Sequence, residues 1–391
     1  MILGCLGCGV ILDYFGRKAS HTIMNIPAIV GWLCIAFGNN NTLILVGRFL
    51  TGICSGVSRP VSLVYIGEIS DPKLRSICLL MPALITNAGV IIIHVIGKYF
   101  HWRISCFLCV IPSVLCVVSF IFLKDSPLWL ISRGRVEEGM VAFTWFRGED
   151  EKAVKELENV LDKRRENSDE YCKIVRELLS DRTLLKPFVT VFFLMLCTQS
   201  SGVNVLPFYA ENIFNETFSG KVDGYTLMIV SDILRAVGTL TVCVFAKVLP
   251  KKKTFLTCCF GVIASLGALL LLYFFNTGDI WAPFVFFVFF IIFGGVVITL
   301  GWTFMPEILP NNVRGIGTAI ASAIGYIVLF TIVKVLPDVL EKYGEAALYA
   351  SFAVSILICS TVLSFILPET KDRTLQSIEN DYTECSFNTK L

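Results

Sequence analysis

Apolar runs of roughly twenty residues, cut by short polar connectors, alternate along almost the whole chain. A helix needs about 20 predominantly apolar residues to cross a bilayer. Ten runs meet that length: 20–38, 43–65, 77–97, 102–123, 185–207, 225–246, 254–275, 281–304, 315–336 and 346–367. The run 1–12 is apolar but shorter, and reads as an eleventh span with its outer end trimmed. One stretch breaks the pattern. Lys124 to Leu184 carries 26 of the 64 charged side chains in 61 residues. Within it Val136, Met140 and Phe143, then Val154, Leu157 and Leu161, recur at helical spacing. They predict short amphipathic helices lying against a membrane face.

Lys and Arg orient the spans, because cytosolic connectors are the richer in them. Alternate connectors carry Arg17–Lys18, Lys73 with Arg75, the central loop, Lys247 with Lys251–Lys253, Arg314, and Lys371 with Arg373. That set is assigned to the cytosol. Asn40 and Asn215, each the start of an N-x-T sequon, then face outside as glycosylation candidates. The same topology puts Met1 outside, and an imbalance of four spans and a stub before the loop against six after it implies one further N-terminal span.

Composition narrows the function. The 391 residues are 55% hydrophobic with formal net charge +2. There is no basic surplus for nucleic acid, and a mean hydropathy of +0.73 excludes an ordinary soluble domain. Fifteen cysteines raise the question of metal or redox chemistry. Most stand inside apolar runs, where cysteine acts as a small hydrophobe. The C-x-x-C pairs Cys5–Cys8 and Cys106–Cys109 have no polar setting, so neither a metal nor a cofactor is assigned. Three scattered histidines, His21, His94 and His101, give no clustered chemistry of the kind a membrane enzyme needs.

The two halves share landmarks. Glu68-Ile-Ser-Asp-Pro-Lys-Leu-Arg75 matches Glu307-Ile-Leu-Pro-Asn-Asn-Val-Arg314, with Glu and Arg seven apart in both. Leu123-Lys-Asp-Ser126 matches Leu367-Pro-Glu-Thr370, and Asp13-x-x-Gly16-Arg17-Lys18 is echoed by Lys247-x-x-Pro250-Lys251-Lys252. Landmarks in one order at nearly constant offset indicate an internal repeat. Charges at helix ends can pair without full burial, so the inner-face set is read as a gate that forms and breaks as the inner side closes and opens.

The chain resembles the sugar porters of the major facilitator superfamily, and within them the facilitated trehalose transporter-like branch. The resemblance rests on Gly9-x3-Asp13-x2-Gly16-Arg17-Lys18, Gly47-Arg48, Glu68 with Arg75, Gln199-x2-Gly202-x-Asn204, Glu307-x6-Arg314-Gly315 and Pro368-Glu-Thr-Lys371. Leu80 to Gly89 and Gly97-Lys98-Tyr99 carry the branch-level likeness. It implies an all-α membrane protein of the major facilitator fold: two six-helix bundles, the first span absent and about 11 present. The expected parts are a bundle at 1–123, a cytosolic helical loop at 124–184, a second bundle at 185–367 and a cytosolic tail at 368–391. The implied activity is sugar movement by alternating access, facilitative, in a multi-pass protein of the plasma membrane. A non-transporting sugar sensor, or a carrier for another small polar substrate, is the alternative. The sugar and the lipid bilayer are the expected partners.

Candidate sites follow. Sugars both donate and accept hydrogen bonds, and so do amides. Gln199 and Asn204 stand five apart, about 140° around a regular helix, so one face would not present both. Gly202 between them permits a break that would turn both toward a cavity. Thr198, Tyr209 (with Phe208), Trp302 and Asn87 complete the substrate-binding set, near mid-membrane between the halves. Asp13, Arg17, Arg48, Glu68, Arg75, Glu307 and Arg314 form the gating set. Thr198, Gly301 and Gly325 stand where the family carries a glutamine, a proline and an asparagine, so the scaffold motifs are better kept than the sugar contacts. Asp232 and Arg235, three apart inside a span, are read as a local ion pair.

Overall fold

The computed structural model describes residues 1–71, 74–148, 182–205, 223–245, 248–275, 281–309 and 314–371, and among them the regular structure is helical. The helices are α1 (Ile2–Phe15), α2 (Arg17–Ala36), α3 (Asn41–Ile69), α4 (Arg75–Tyr99), α5 (Trp102–Phe122), α6 (Pro127–Ser132), α7 (Val136–Arg147), α8 (Arg182–Ser200), α9 (Gly224–Phe245), α10 (Lys251–Phe275), α11 (Trp281–Ile308) and α12 (Arg314–Ile366). Eight of the described helices are long and apolar enough to span a membrane. α12 counts for two. Its 53 residues would reach about 80 Å unbroken, against a hydrocarbon core of about 30 Å. It breaks at Gly344, whose φ of 74° suits glycine.

Burial agrees with a lipid solvent. α5 buries almost none of its residues fully although it is among the most apolar helices, whereas more than half of α11 is buried. Phe122, Ile85, Phe260 and Phe365 stand out from the protein as side chains do when hydrocarbon rather than water surrounds them. In such a solvent helix association depends on close packing, which small residues permit. α2 meets α3 in this way: a Cβ on Gly31 would lie 2.8 Å from the Gly47 carbonyl, and one on Gly47 2.6 Å from that of Gly31.

Contacts group the chain into two compact units, 1–82 with 99–181 and 312–323, and 83–98 with 182–311 and 324–391. In the first, α3 packs against both α1 and α2; in the second, α11 packs against both α9 and α10. These are the pairings that an internal repeat requires of corresponding helices.

The turn between α1 and α2 shows how local sequence sets such a junction. Gly16 has φ 87°, open to glycine at no steric cost. A Cβ there would also sit 2.5 Å from Asp125 Oδ2 and 2.9 Å from the Trp129 ring. The charged stretch begins with α6, which the periodicity did not indicate, and α7, which it did, and Tyr65 anchors it by donating to the Lys124 carbonyl at 2.7 Å. The buried face of α7 differs from the expected one. It is Gly139, Ala142 and Phe143, while Met140 is exposed. Gly139 presents no side chain, so α7 lies directly on α6, where an added Cβ would meet Ile131 Cγ1 at 2.6 Å. That rotates the stripe by about one residue. The second expected loop helix, 151–166, lies outside the described residues.

Candidate functional site

α8 ends at Ser200, and Gly202 beyond it takes φ 79°, so the break expected between the two amides is present. It brings the side chains together. Asn204 Nδ2 donates to Gln199 Oε1 at 2.7 Å. Gln199 is 1% exposed and Thr198 and Ser201 are fully buried. The pairing uses one acceptor of Gln199 and one donor of Asn204. Each amide has further donor and acceptor functions beyond this bond.

Around Gln199 stand all three positions where the family pattern is lost. A Cβ on Gly301 would collide with Thr198 Cγ2, and one on Gly325 would lie 3.5 Å from Gln199 Nε2. Trp302 follows Gly301, 6% exposed, with its ring 6.1 Å from that of Tyr326. Asn87 is brought to the same unit but to a different partner: its Nδ2 donates to Thr239 Oγ1 at 2.8 Å, and Thr239 meets Thr299 Oγ1 at 3.0 Å. Thr299 lies one helical turn before Trp302 on α11. Tyr209 and Phe208 lie outside the described residues.

The charged set resolves into two like-built clamps, one in each unit. Arg17 holds Glu68 with two bonds, Nε to Oε2 at 2.9 Å and Nη2 to Oε1 at 2.6 Å. Asp125 Oδ1 accepts from the backbone N–H groups of Arg17 and Lys18 at 3.0 and 3.3 Å, capping the first turn of α2. In the second unit Lys251 Nζ donates to Glu307 Oε1 at 2.5 Å. Glu369 accepts from the backbone N–H groups of Lys251 and Lys252 at 2.9 and 3.1 Å. A carboxylate at a helix N-terminus satisfies orphan donors and opposes the helix dipole. Asp125 and Glu369 were legible as repeat landmarks, but their capping role was not, because the helices they cap are more than a hundred residues away.

The remaining gating candidates divide. Arg75 opens α4, and Arg147 of α7 reaches the Ile69 carbonyl at 3.1 Å, next to Glu68. Arg48 is exposed and stands twenty residues before Glu68 on α3, about 30 Å along the helix, so it does not join the clamp. The side chains of Asp13 and Arg314 lie outside the described set, as does Asn215. Asn40 is exposed and caps α3, its Oδ1 accepting from Leu43 N at 2.9 Å. The C-x-x-C thiols of Cys5 and Cys8 donate to carbonyls of α3, Cys5 to Gly56 at 3.0 Å. Among the described residues no group of three or more His, Cys, Asp or Glu is placed to hold a metal ion.

Solved structures identify the class. The chain superposes on the major facilitator superfamily proton:xylose symporter XylE bound to 6-bromo-6-deoxy-D-glucose with a TM-score of 0.84 and 18% identity, covering 97% of this chain and 86% of that one. It therefore has the major facilitator fold. Among curated proteins, the facilitated trehalose transporter Tret1 of Polypedilum vanderplanki is 29% identical over 385 residues, 97% of this chain and 76% of that protein. Tret1 of Drosophila willistoni is 29% identical over 393 residues, 97% of this chain and 44% of that protein. The family model described as "Sugar (and other) transporter" matches residues 1–382, and the chain belongs to that family.

Proposed function

We propose that the chain moves a small sugar, a hexose or a trehalose-like disaccharide, across the plasma membrane by facilitative alternating access. The observation that carries this is the hydrogen-bonded amide pair, Gln199 with Asn204, at the break after α8. An amide pair at a helix break in an apolar setting is costly unless it is used. The family and the Tret1 relatives supply the substrate class. Thr198, Gln199, Asn204, Tyr209, Trp302 and Asn87 are the proposed contacts, and the clamps Arg17–Glu68 and Lys251–Glu307 the proposed inner gate with Asp13, Arg75 and Arg314. We further propose the division into bundles 1–123 and 185–367 about a cytosolic loop, with the sequons outside.

The test is uptake of labelled trehalose and a panel of hexoses into liposomes holding the purified chain, with empty liposomes as control. Saturable uptake whose apparent affinity falls at least about 2- to 10-fold on Gln199→Ala supports the reading. Binding of a sugar without uptake would favour the sensor. Neither binding nor uptake of any sugar would point to another small polar substrate, a reading that Thr198, Gly301 and Gly325 favour by removing polar and rigid groups from around Gln199.

A further inference from the structure

The ion pair expected within α9 has a third member from α4. Arg235 Nη2 donates to Asp232 Oδ1 at 3.1 Å, and His94 Nδ1 lies 2.5 Å from Asp232 Oδ2. Asp232 is nearly fully buried, with 4% of its side chain exposed, while the His94 ring keeps 20%. The carboxylate can only accept, so Nδ1 carries the hydrogen of that bond and Nε2 is the basic nitrogen of the ring. We propose that His94, Asp232 and Arg235 form a proton-binding site, in which Nε2 takes a proton from water and the imidazolium, paired with Asp232, fastens α4 to α9.

The proposal stands on geometry at three levels. First, Arg235 neutralises Asp232 on its own, so a neutral His94 is only a hydrogen-bond donor to that carboxylate, while a protonated one brings it a second cation. The bond to ionised Asp232 is charge-assisted in either state, and protonation places charge on both of its ends. Second, the His94 ring is not sealed in, with 20% of its side chain exposed. His94 lies one turn, about 6 Å, before Lys98, whose ammonium is partly exposed and bonds Asp223 at 3.0 Å and Thr226 at 2.6 Å. Third, the cluster is the middle rung of a polar seam between antiparallel helices. Asn87, His94 and Lys98 on α4 meet Thr239, Asp232 and Thr226 of α9 in reverse order. Tyr225 adds a bond from its hydroxyl to the His94 carbonyl at 2.9 Å. A seam of hydrogen bonds in an apolar medium is held by proton positions rather than by burial alone.

Among the described residues, the titratable and charged groups around His94 are Asp232, Arg235 and Tyr225 from α9, with Lys98 on its own helix, which in turn holds Asp223 just before α9. α11, packed along α9, brings Gly295 to Arg235 and Thr299 to Thr239, and its sequence has no titratable side chain before Glu307. Asp223 is held down to about 2 by hydrogen bonds from Thr226 and Lys98. It stays ionised from pH 5 to 8, so a response in that window is not its own.

Transport enters only through the second arm of the test, which rests on the proposed function. In the first arm, the purified chain with 15N-labelled histidine is titrated from pH 8 to 5 by NMR, and His94→Gln assigns the resonance among the three histidines. His94 is expected to gain its proton at Nε2 within the window, and in Asp232→Asn the protonated fraction at pH 6 is expected to fall at least about threefold. A ring that stays neutral throughout, or one indifferent to Asp232→Asn, overturns the site; the wild-type titration decides alone should that variant not fold. In the second arm, trehalose and glucose uptake into liposomes at equal internal and external pH is expected to differ at least about threefold between pH 5.5 and 8, and to lose that difference in His94→Gln. A pH difference that survives the substitution overturns the link to transport. Wild-type liposomes that move no sugar at either pH refute the transport reading, while the titration still decides the proton site.

Discussion

Removing the Asn204 side chain tests the amide pair most directly. In Asn204→Ala the acceptor Gln199 Oε1, now bonded at 2.7 Å, loses its donor in a position where the residue is 1% exposed. An unsatisfied buried acceptor costs about 1–3 kcal/mol, enough to lower Tm by a few degrees in a chain of this size. If Asn204 also bonds a sugar hydroxyl, the lost bond weakens affinity by about 0.5–1.5 kcal/mol, or 2- to 10-fold. Gln199→Ala removes the acceptor along with the side chain, so it is expected to cost less stability and at least as much affinity. The double variant closes the cycle: a stability coupling of about 0.5–1.5 kcal/mol is expected for residues in contact. The assay is Tm and sugar affinity measured on the same purified preparations. Unchanged Tm and affinity in Asn204→Ala would refute the pairing, and reduced Tm with normal affinity in both single variants would make the pair a helix tie rather than a sugar contact.

Other expectations are shorter to state. Glu307→Gln and Glu68→Gln should each weaken a clamp whose side chains are 10–16% exposed, by about 1.5–3 kcal/mol for a bond to a charged group; cysteine labelling at the inner helix ends should rise, and no change in either variant would count against gating. Gly16→Ala should destabilise by about 1–3 kcal/mol through its φ of 87°, with a further loss from contact with Asp125 and Trp129; a neutral result by thermal unfolding would contradict the described turn. Between pH 4 and pH 2 the Lys98–Asp223 contact should fail. Asp223 is depressed to about 2, so its stabilisation is complete above the ordinary carboxylate range and is lost as pH falls through that value; Asp223→Asn should abolish that acid-range change. Glycan attachment at Asn215 with protease access to the central loop only from inside would support the orientation, and loop cleavage in intact cells would reverse it.

Most of the spans were legible because lipid leaves a coarse signal of long apolar runs between polar connectors, whereas the run 185–207 yields a shorter apolar helix that ends at Ser200. Even the division of α12 followed from the polar residues around Gly344. The face of α7 was not legible, because Gly139 counts as neither apolar nor polar in a periodic pattern, yet its missing side chain decides which face packs on α6. The helix break at Gly202 could be read from the sequence; the bond it permits between Gln199 and Asn204 could not, since its direction depends on five backbone torsion pairs. His94 escaped altogether. It stands 138 residues from Asp232, and a lone histidine in an apolar run gives no hint of its partner. Arg48 entered the gating set by motif alone, and the rise of α3 places it apart from the clamp.

The lost family positions form a physical group. Thr198 replaces an amide with a short side chain, and its methyl occupies the space that Gly301 leaves open on α11. A proline at 301 would need that space, so each departure makes room for the other. Gly325 removes a third side chain from the surroundings of the Gln199 amide, 3.5 Å from where its Cβ would be. The changes remove directional hydrogen-bonding groups, while the Gln199–Asn204 pair and Trp302 are kept. The clamps at the helix ends carry no such departures in their paired charges.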